Sequence, residues 1–235
     1  MDKNLNNLLR WGIENSAPAS TNGASGATAV TAHSADSNAS STNSAAPQAP
    51  RSDLNPELLQ ALFGGPSEAE LMKAAMEVIT DPSADLENKL VAFDNFEQLI
   101  ESLDNANNME PLALWTPLLS MLSHEEHELR RYAAWCVGTA VQNNVRSQER
   151  LLAMGGIPPL VGLATRKEEH EAVRKKAIYA LSSAVRNYQP AMDAAAEELR
   201  KGGLDHGKGD KVDATDMDAI DDIMAWLKRM VTESA

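Results

Sequence analysis

Five histidines and one cysteine are the side chains of this chain best suited to metal binding or nucleophilic chemistry. Two of the histidines stand close together in His124-Glu-Glu-His127. A helical zinc-protease site needs its two histidines one turn apart, at i and i+4, with a glutamate between them as base. Here they are three apart in a polar stretch without a third ligand nearby, so the segment reads as a solvated turn. His33 and His206 sit in stretches without apolar periodicity, and His170 lies among Lys167, Glu168, Glu169 and Glu171 in what reads as another turn. Cys136 follows Ala133 and Ala134 and precedes Val137 in an apolar helical pattern. A reactive thiolate needs a polar, accessible and electropositive setting, so this thiol reads as buried and inert. There is no glycine-rich phosphate loop, nucleophile elbow or CxxC pair, and the carboxylates are scattered. The chain therefore reads as a protein without catalytic residues, metal or cofactor.

Its action must then come from a surface, and composition bounds what that surface meets. The formal charge of −13 argues against nucleic acid, whose phosphates recruit Lys and Arg, and against anionic membranes. No apolar run approaches the roughly 20 residues of a membrane span. The single cysteine leaves no intrachain disulfide framework, which suits a reducing compartment, so the expected location is cytoplasmic. The expected state is a monomer. Hydrophobic residues make up 43% of the chain but aromatics only 4%, so Leu, Ala, Val and Met must fill the core. That balance favours helices.

The elements that would present such a surface follow from periodicity. Residues 1–15 hold a short apolar and basic peptide, with Leu8, Leu9, Arg10, Trp11 and Ile13. Residues 16–52 are Ser, Thr, Asn, Ala and Gly with almost no charge, and they bury too little to offset chain entropy, so they read as a disordered linker. From 53 to 199 helical patterns dominate. Ser67-Glu-Ala-Glu70 is a capping box ahead of Leu71, Met72, Ala75, Met76 and Ile79, and Asp81-Pro82 ends that helix. A longer helix is expected from about Leu86 to Ala106. LIESLDNAN (99–107), VGTAVQNNV (137–145) and LSSAVRNYQ (181–189) then align at offsets of 38 and 44 residues. A helical period near ~40 is the range of armadillo and HEAT arrays. Met154-Gly-Gly-Ile-Pro-Pro-Leu-Val161, which breaks one helix with glycines and restarts the next with proline, points to armadillo. The expected fold is an all-α, armadillo-like solenoid of about three repeats. A flexible spacer over 200–214 leads to an amphipathic helix over 215–233, started by Thr215-Asp-Met-Asp218 and carrying Met217, Ile220, Met224, Leu227 and Val231 on one face. A terminal repeat exposes an apolar face, so this helix reads as a cap, with a docking peptide as the alternative.

In an armadillo stack the long helix of each repeat lines a concave groove. On that face the first helix carries Asp94, Glu97, Glu101 and Asp104, the second Arg131, Trp135, Thr139 and Gln142, and the third Lys175, Tyr179, Ser183 and Arg186. Charge is expected to grade from acidic to basic along the groove, with Trp135 and Tyr179 as anchors for a protein partner.

The segments LVAFDNFEQLIESLDNANNMEPLALW, GTAVQNN, VRKKA and YALSSAVRN, with LFGG and the opening LLRWGIENS, resemble the Fes/Hsp-binding-protein family. These are armadillo nucleotide exchange factors for 70-kDa heat-shock chaperones, and the resemblance covers roughly 55–189 plus the N-terminal peptide. Armadillo carriers of nuclear cargo use Trp-xxx-Asn ladders, whereas the pairs here are Glu97/Glu101, Trp135/Thr139 and Tyr179/Ser183. The resemblance implies that the groove embraces one lobe of the chaperone's ATPase domain, so that the nucleotide cleft opens and ADP leaves. Weakening ADP a hundredfold takes about 2.7 kcal/mol of coupling, and reciprocity makes ATP expel the factor. Matched motif by motif, the implied contacts include Asn105, Ala106 and Asn107 in DNANN, Asn143 in QNN, and Arg186 and Asn187 in VRN. After Gln189 the chain departs from longer members, which continue with another regular repeat. Leu8, Leu9, Arg10, Trp11 and Ile13 match the peptide thought to mimic clients and hasten their release. Resting on the repeat stack as an amphipathic helix is the alternative. A plain armadillo scaffold binding an extended peptide is the competing reading for the whole chain.

Overall fold

A computed structural model describes residues 64–204, 207 and 211–233. The N-terminal peptide, the linker and the 55–63 segment lie outside the described residues. Ten α-helices make up this part: α1 Glu68–Thr80, α2 Leu86–Ile100, α3 Leu103–Asn108, α4 Trp115–Ser120, α5 His127–Val141, α6 Val145–Ala153, α7 Ile157–Thr165, α8 Glu171–Val185, α9 Gln189–Lys201 and α10 Met217–Thr232. A single 3₁₀ turn, Met121–Ser123, follows α4. No strand occurs among the described residues. The fold is all-α and armadillo-like.

Helices α2, α5 and α8 form its ladder. Each is 15 residues long, and each packs on the next. Their last residues, Ile100, Val141 and Val185, are spaced 41 and 44 residues apart (100 to 141, 141 to 185). The same four positions of each helix are buried: Ala92, Phe93, Phe96 and Ile100; Ala133, Ala134, Val137 and Val141; Ala177, Ile178, Leu181 and Val185. The first offset of 38 expected from the sequence is therefore three residues short. Leu103, which the sequence pairs with Val141, is 56% exposed and starts a separate helix. The single helix expected over Leu86–Ala106 is broken at Glu101-Ser102, where Ser102 turns extended at ψ 127. Asn105 stabilises the break: its Nδ2 donates to the carbonyl of Leu99 at 2.9 Å and to Glu68 Oε2 at 2.8 Å.

Local chemistry sets the other boundaries. Ser67 and Glu70 close the capping box on α1, and Asp81 caps its far end. Between α6 and α7, Gly155 adopts φ +70, and a Cβ on Gly156 would come within 2.1 Å of Leu151 Cδ1. Asn143 and Asn187 take φ of 53 and 57 at the ends of α5 and α8, a left-handed bend that Asn tolerates better than most residues.

Helix α10 adds a rung beside α8 and also packs on α7, with Ile220, Ile223, Leu227 and Val231 buried. Its N-cap is Asp216, which accepts from the backbone of Ala219, rather than the expected Thr215; Thr215 is held instead by Asp213. The end of the spacer is docked, not free, because Val212 and Ala214 are buried. Gln189 holds it from both sides, donating to Val212 O at 2.8 Å and accepting from Ala214 N at 2.8 Å.

Candidate functional site

The face shared by α2, α5 and α8 brings together most of the residues singled out in the sequence. Trp135 on α5 is half-buried at its centre. Its ring lies 5.6 Å from that of Tyr132, and the Lys176 ammonium of α8 sits 3.7 Å from its centroid. Lys176 also lies 5.6 Å from the Tyr179 ring, and the Tyr179 hydroxyl meets Gln142 Oε1 at 3.1 Å. Gly138 makes this arrangement possible: a Cβ there would fall 2.5 Å from the Tyr179 ring.

Lys176 takes the place expected for Lys175, which is exposed and pairs with Glu171 at 2.5 Å. Helix geometry alone does not choose between them, because Lys176 is three residues before Tyr179 and Lys175 is four, and both spacings share a face. Tyr132 was also missed, though it stands three residues before Trp135. With the register corrected to 41, the α2 positions matching Trp135 and Thr139 are Asp94 and Gln98, not Glu97 and Glu101. Gln98 Nε2 donates to Asp94 Oδ2 at 3.0 Å, so this rung too lacks the aromatic-Asn pair.

Glu97 instead lies between helices, 5% exposed, and accepts from Thr139 Oγ1 at 2.7 Å. Burial pushes its carboxyl above the ordinary range, against the pull of the Thr139 hydrogen bond. Below it, burial and the nearby Glu97 push the Cys136 thiol well up, and its Sγ contacts Phe93 O at 3.9 Å. A carboxyl whose folded pKa exceeds its unfolded value gives stability that is complete in acid and lost as pH rises through the folded value. Glu97→Gln keeps the acceptor for Thr139 and removes the buried charge. It should make the protein more stable than the parent at neutral pH, with the difference vanishing as pH falls through the carboxyl range. Urea unfolding at several pH values measures this, and a variant less stable at neutral pH would contradict it.

The remaining positions divide by exposure. Glu101, Gln142, Asn143 and Asn187 are exposed, and Asn107, Thr139, Tyr179 and Arg186 are intermediate. Asn105, Ala106 and Ser183 are buried. At the basic end of the expected acid-to-base gradient, cations are paired within the chain. Arg131 pairs with Glu128 at 2.5 Å, and Arg186 pairs with Asp221 of α10 while its Nη1 lies 3.3 Å from Met217 Sδ. At the other end, Leu86, Leu90, Val91 and Tyr132 line a shallow apolar depression edged by Glu87 and Asp94.

His124 lies in the turn after the 3₁₀ segment, and His127 opens α5 between Glu126 and Glu128. The His127 ring lies 4.6 Å from that of His170. Among the described residues no cluster of three His, Cys, Asp or Glu side chains is placed to hold a metal ion, and no helix is long and apolar enough to cross a membrane.

Two family models match the chain. One, described as nucleotide exchange factor Fes1, covers residues 5–109, and the other, the SIL1/FES1/HPBP1 C-terminal domain, covers residues 105–233. Among curated proteins, the Hsp70 nucleotide exchange factor fes-1 of Neurospora crassa is 56% identical over 240 residues, covering 97% of this chain and 98% of that protein. The Hsp70 nucleotide exchange factor FES1 of Gibberella zeae is 55% identical over 233 residues, covering 98% of each. The protein of the same name from Eremothecium gossypii is 53% identical over 153 residues, which is 64% of this chain and 52% of that one.

Proposed function

The chain belongs to the Fes1 family of nucleotide exchange factors, and on that premise we propose that it is an Hsp70 co-chaperone that speeds ADP release by binding the chaperone's ATPase domain. The observation that carries this reading is full-length similarity, at 56% and 55% identity, to two proteins named for that activity. The ladder face adds a physical means. Half-buried Trp135, Tyr132 and Tyr179, set among charged residues, have the composition of a protein-binding surface.

No catalytic group is needed. The factor favours release by binding the open, nucleotide-free ATPase domain better than the closed one. The contacts in this proposal are the exposed or half-exposed positions Glu101, Asn107, Trp135, Thr139, Gln142, Asn143, Tyr179, Arg186 and Asn187. Buried Glu97, Asn105, Ala106 and Ser183 support them from beneath. The protein acts as a monomer in the cytoplasm, which light scattering and cell fractionation would check. Binding of the isolated ATPase domain should be tightest without nucleotide and weakest with ATP. Equal affinity in all nucleotide states would favour a plain scaffold.

The N-terminal peptide has a separate role in this proposal. Leu8, Leu9, Arg10, Trp11 and Ile13 compete with clients for the chaperone's client site, and the linker raises their local concentration. Deleting residues 1–52 should leave ADP release nearly intact and slow the release of a bound client peptide. Client release at full speed would remove this part of the account.

A further inference from the structure

The ladder face carries several cations, and most are already paired. Arg131 is held by Glu128, Arg186 by Asp221 and Lys175 by Glu171. Lys176 differs. Among the described residues no carboxylate oxygen lies within ion-pairing distance of its ammonium, which rests on the Trp135 ring at 3.7 Å and near Tyr179 at 5.6 Å. The closest acidic influence is Glu97, whose carboxylate is engaged with Thr139. Burial lowers the Lys176 pKa, a sign that the charge is partly stripped of water. A desolvated ammonium with unused donors is costly unless an acceptor completes it.

Resting on the exchange-factor reading above, we propose that Lys176 is the seat of a carboxylate from the Hsp70 ATPase domain, received between the rings of Trp135 and Tyr179. The rings fix the ammonium in place before binding, so little side-chain entropy is lost on contact. They also exclude water around the new ion pair, which strengthens it. A basic or neutral partner surface fits this point poorly, because it would leave the partly buried Lys176 ammonium without a carboxylate.

The test measures affinity for the isolated, nucleotide-free ATPase domain at low and high salt. Lys176→Met keeps the apolar stem over the rings and removes the charge. It should weaken binding about tenfold at low salt, the order of one charge-assisted contact, and make the salt dependence shallower. Lys176→Arg should retain most of the affinity. Unchanged binding by Lys176→Met overturns the proposal. So does weaker binding with the parental salt dependence, since the lysine would then only position the rings. Thermal unfolding of both variants checks the fold, and Lys176→Gln repeats the test if methionine disturbs packing. If the parent protein does not bind the ATPase domain at all, this inference falls together with the exchange-factor reading. If the parent binds and the variants match it, only the lysine's role is lost.

Discussion

Trp135→Ala is expected to weaken the complex with the Hsp70 ATPase domain by about thirtyfold or more and to reduce the acceleration of ADP release in proportion at sub-saturating concentration. The tryptophan sits at the middle of the ladder, in ring contact with Tyr132 and under the Lys176 ammonium. Interface energy concentrates on central aromatic residues of this kind, and truncation also leaves the lysine without its support. Because Trp135 is only half-buried, the helical fold should survive, and circular dichroism would verify that. Trp135→Phe should recover much of the binding. Parental affinity in the alanine variant would mean that the partner docks elsewhere on the solenoid.

The largest effect on stability is expected from Arg174. Its side chain is 2% exposed, with Nε 3.2 Å from Ala164 O and Nη2 3.2 Å from Met230 O. It thus meets carbonyls near the ends of α7 and α10, where the partial negative charge of each helix gathers. Arg174→Ala removes both hydrogen bonds and opens a cavity, which should cost about 3–4 kcal/mol. For a domain of this size the thermal midpoint would fall by about 10 °C. Hydrogen exchange should show the loss first in α10, whose attachment depends on this arginine. A shift within about 0.5 kcal/mol, the range of ordinary surface substitutions, would show that α10 is held by its apolar face alone.

What the sequence made legible was chemistry acting between near neighbours. The Ser67–Glu70 capping box, the stop at Asp81 and the Gly-Gly-Ile-Pro restart depend on a few adjacent residues, and each lies where its pattern points. The burial of Ala133, Ala134, Cys136 and Val137 on α5 followed from a local apolar helical pattern in the same way. The break after Ile100 was hidden because Asn105 acts through the carbonyl of Leu99 and through Glu68, a residue of a different helix. The burial of Glu97 and the ring contacts of Lys176 depend on how the rungs stack, which a helical wheel does not contain. The docked end of the spacer was missed for a similar reason. Val212 and Ala214 are too few to make a pattern, yet Gln189, a full helix earlier, holds the backbone around them.

The proposed function is release of ADP from Hsp70 without chemistry of this chain's own. Its most direct test is the release of fluorescent ADP from a purified cytosolic Hsp70, followed by stopped flow with and without the full-length protein. The release rate should rise with protein concentration to a plateau, with Trp135→Ala shifted to much higher concentration and the parent alone hydrolysing no nucleotide. A release rate unchanged at any concentration, with the protein demonstrably folded, would contradict it.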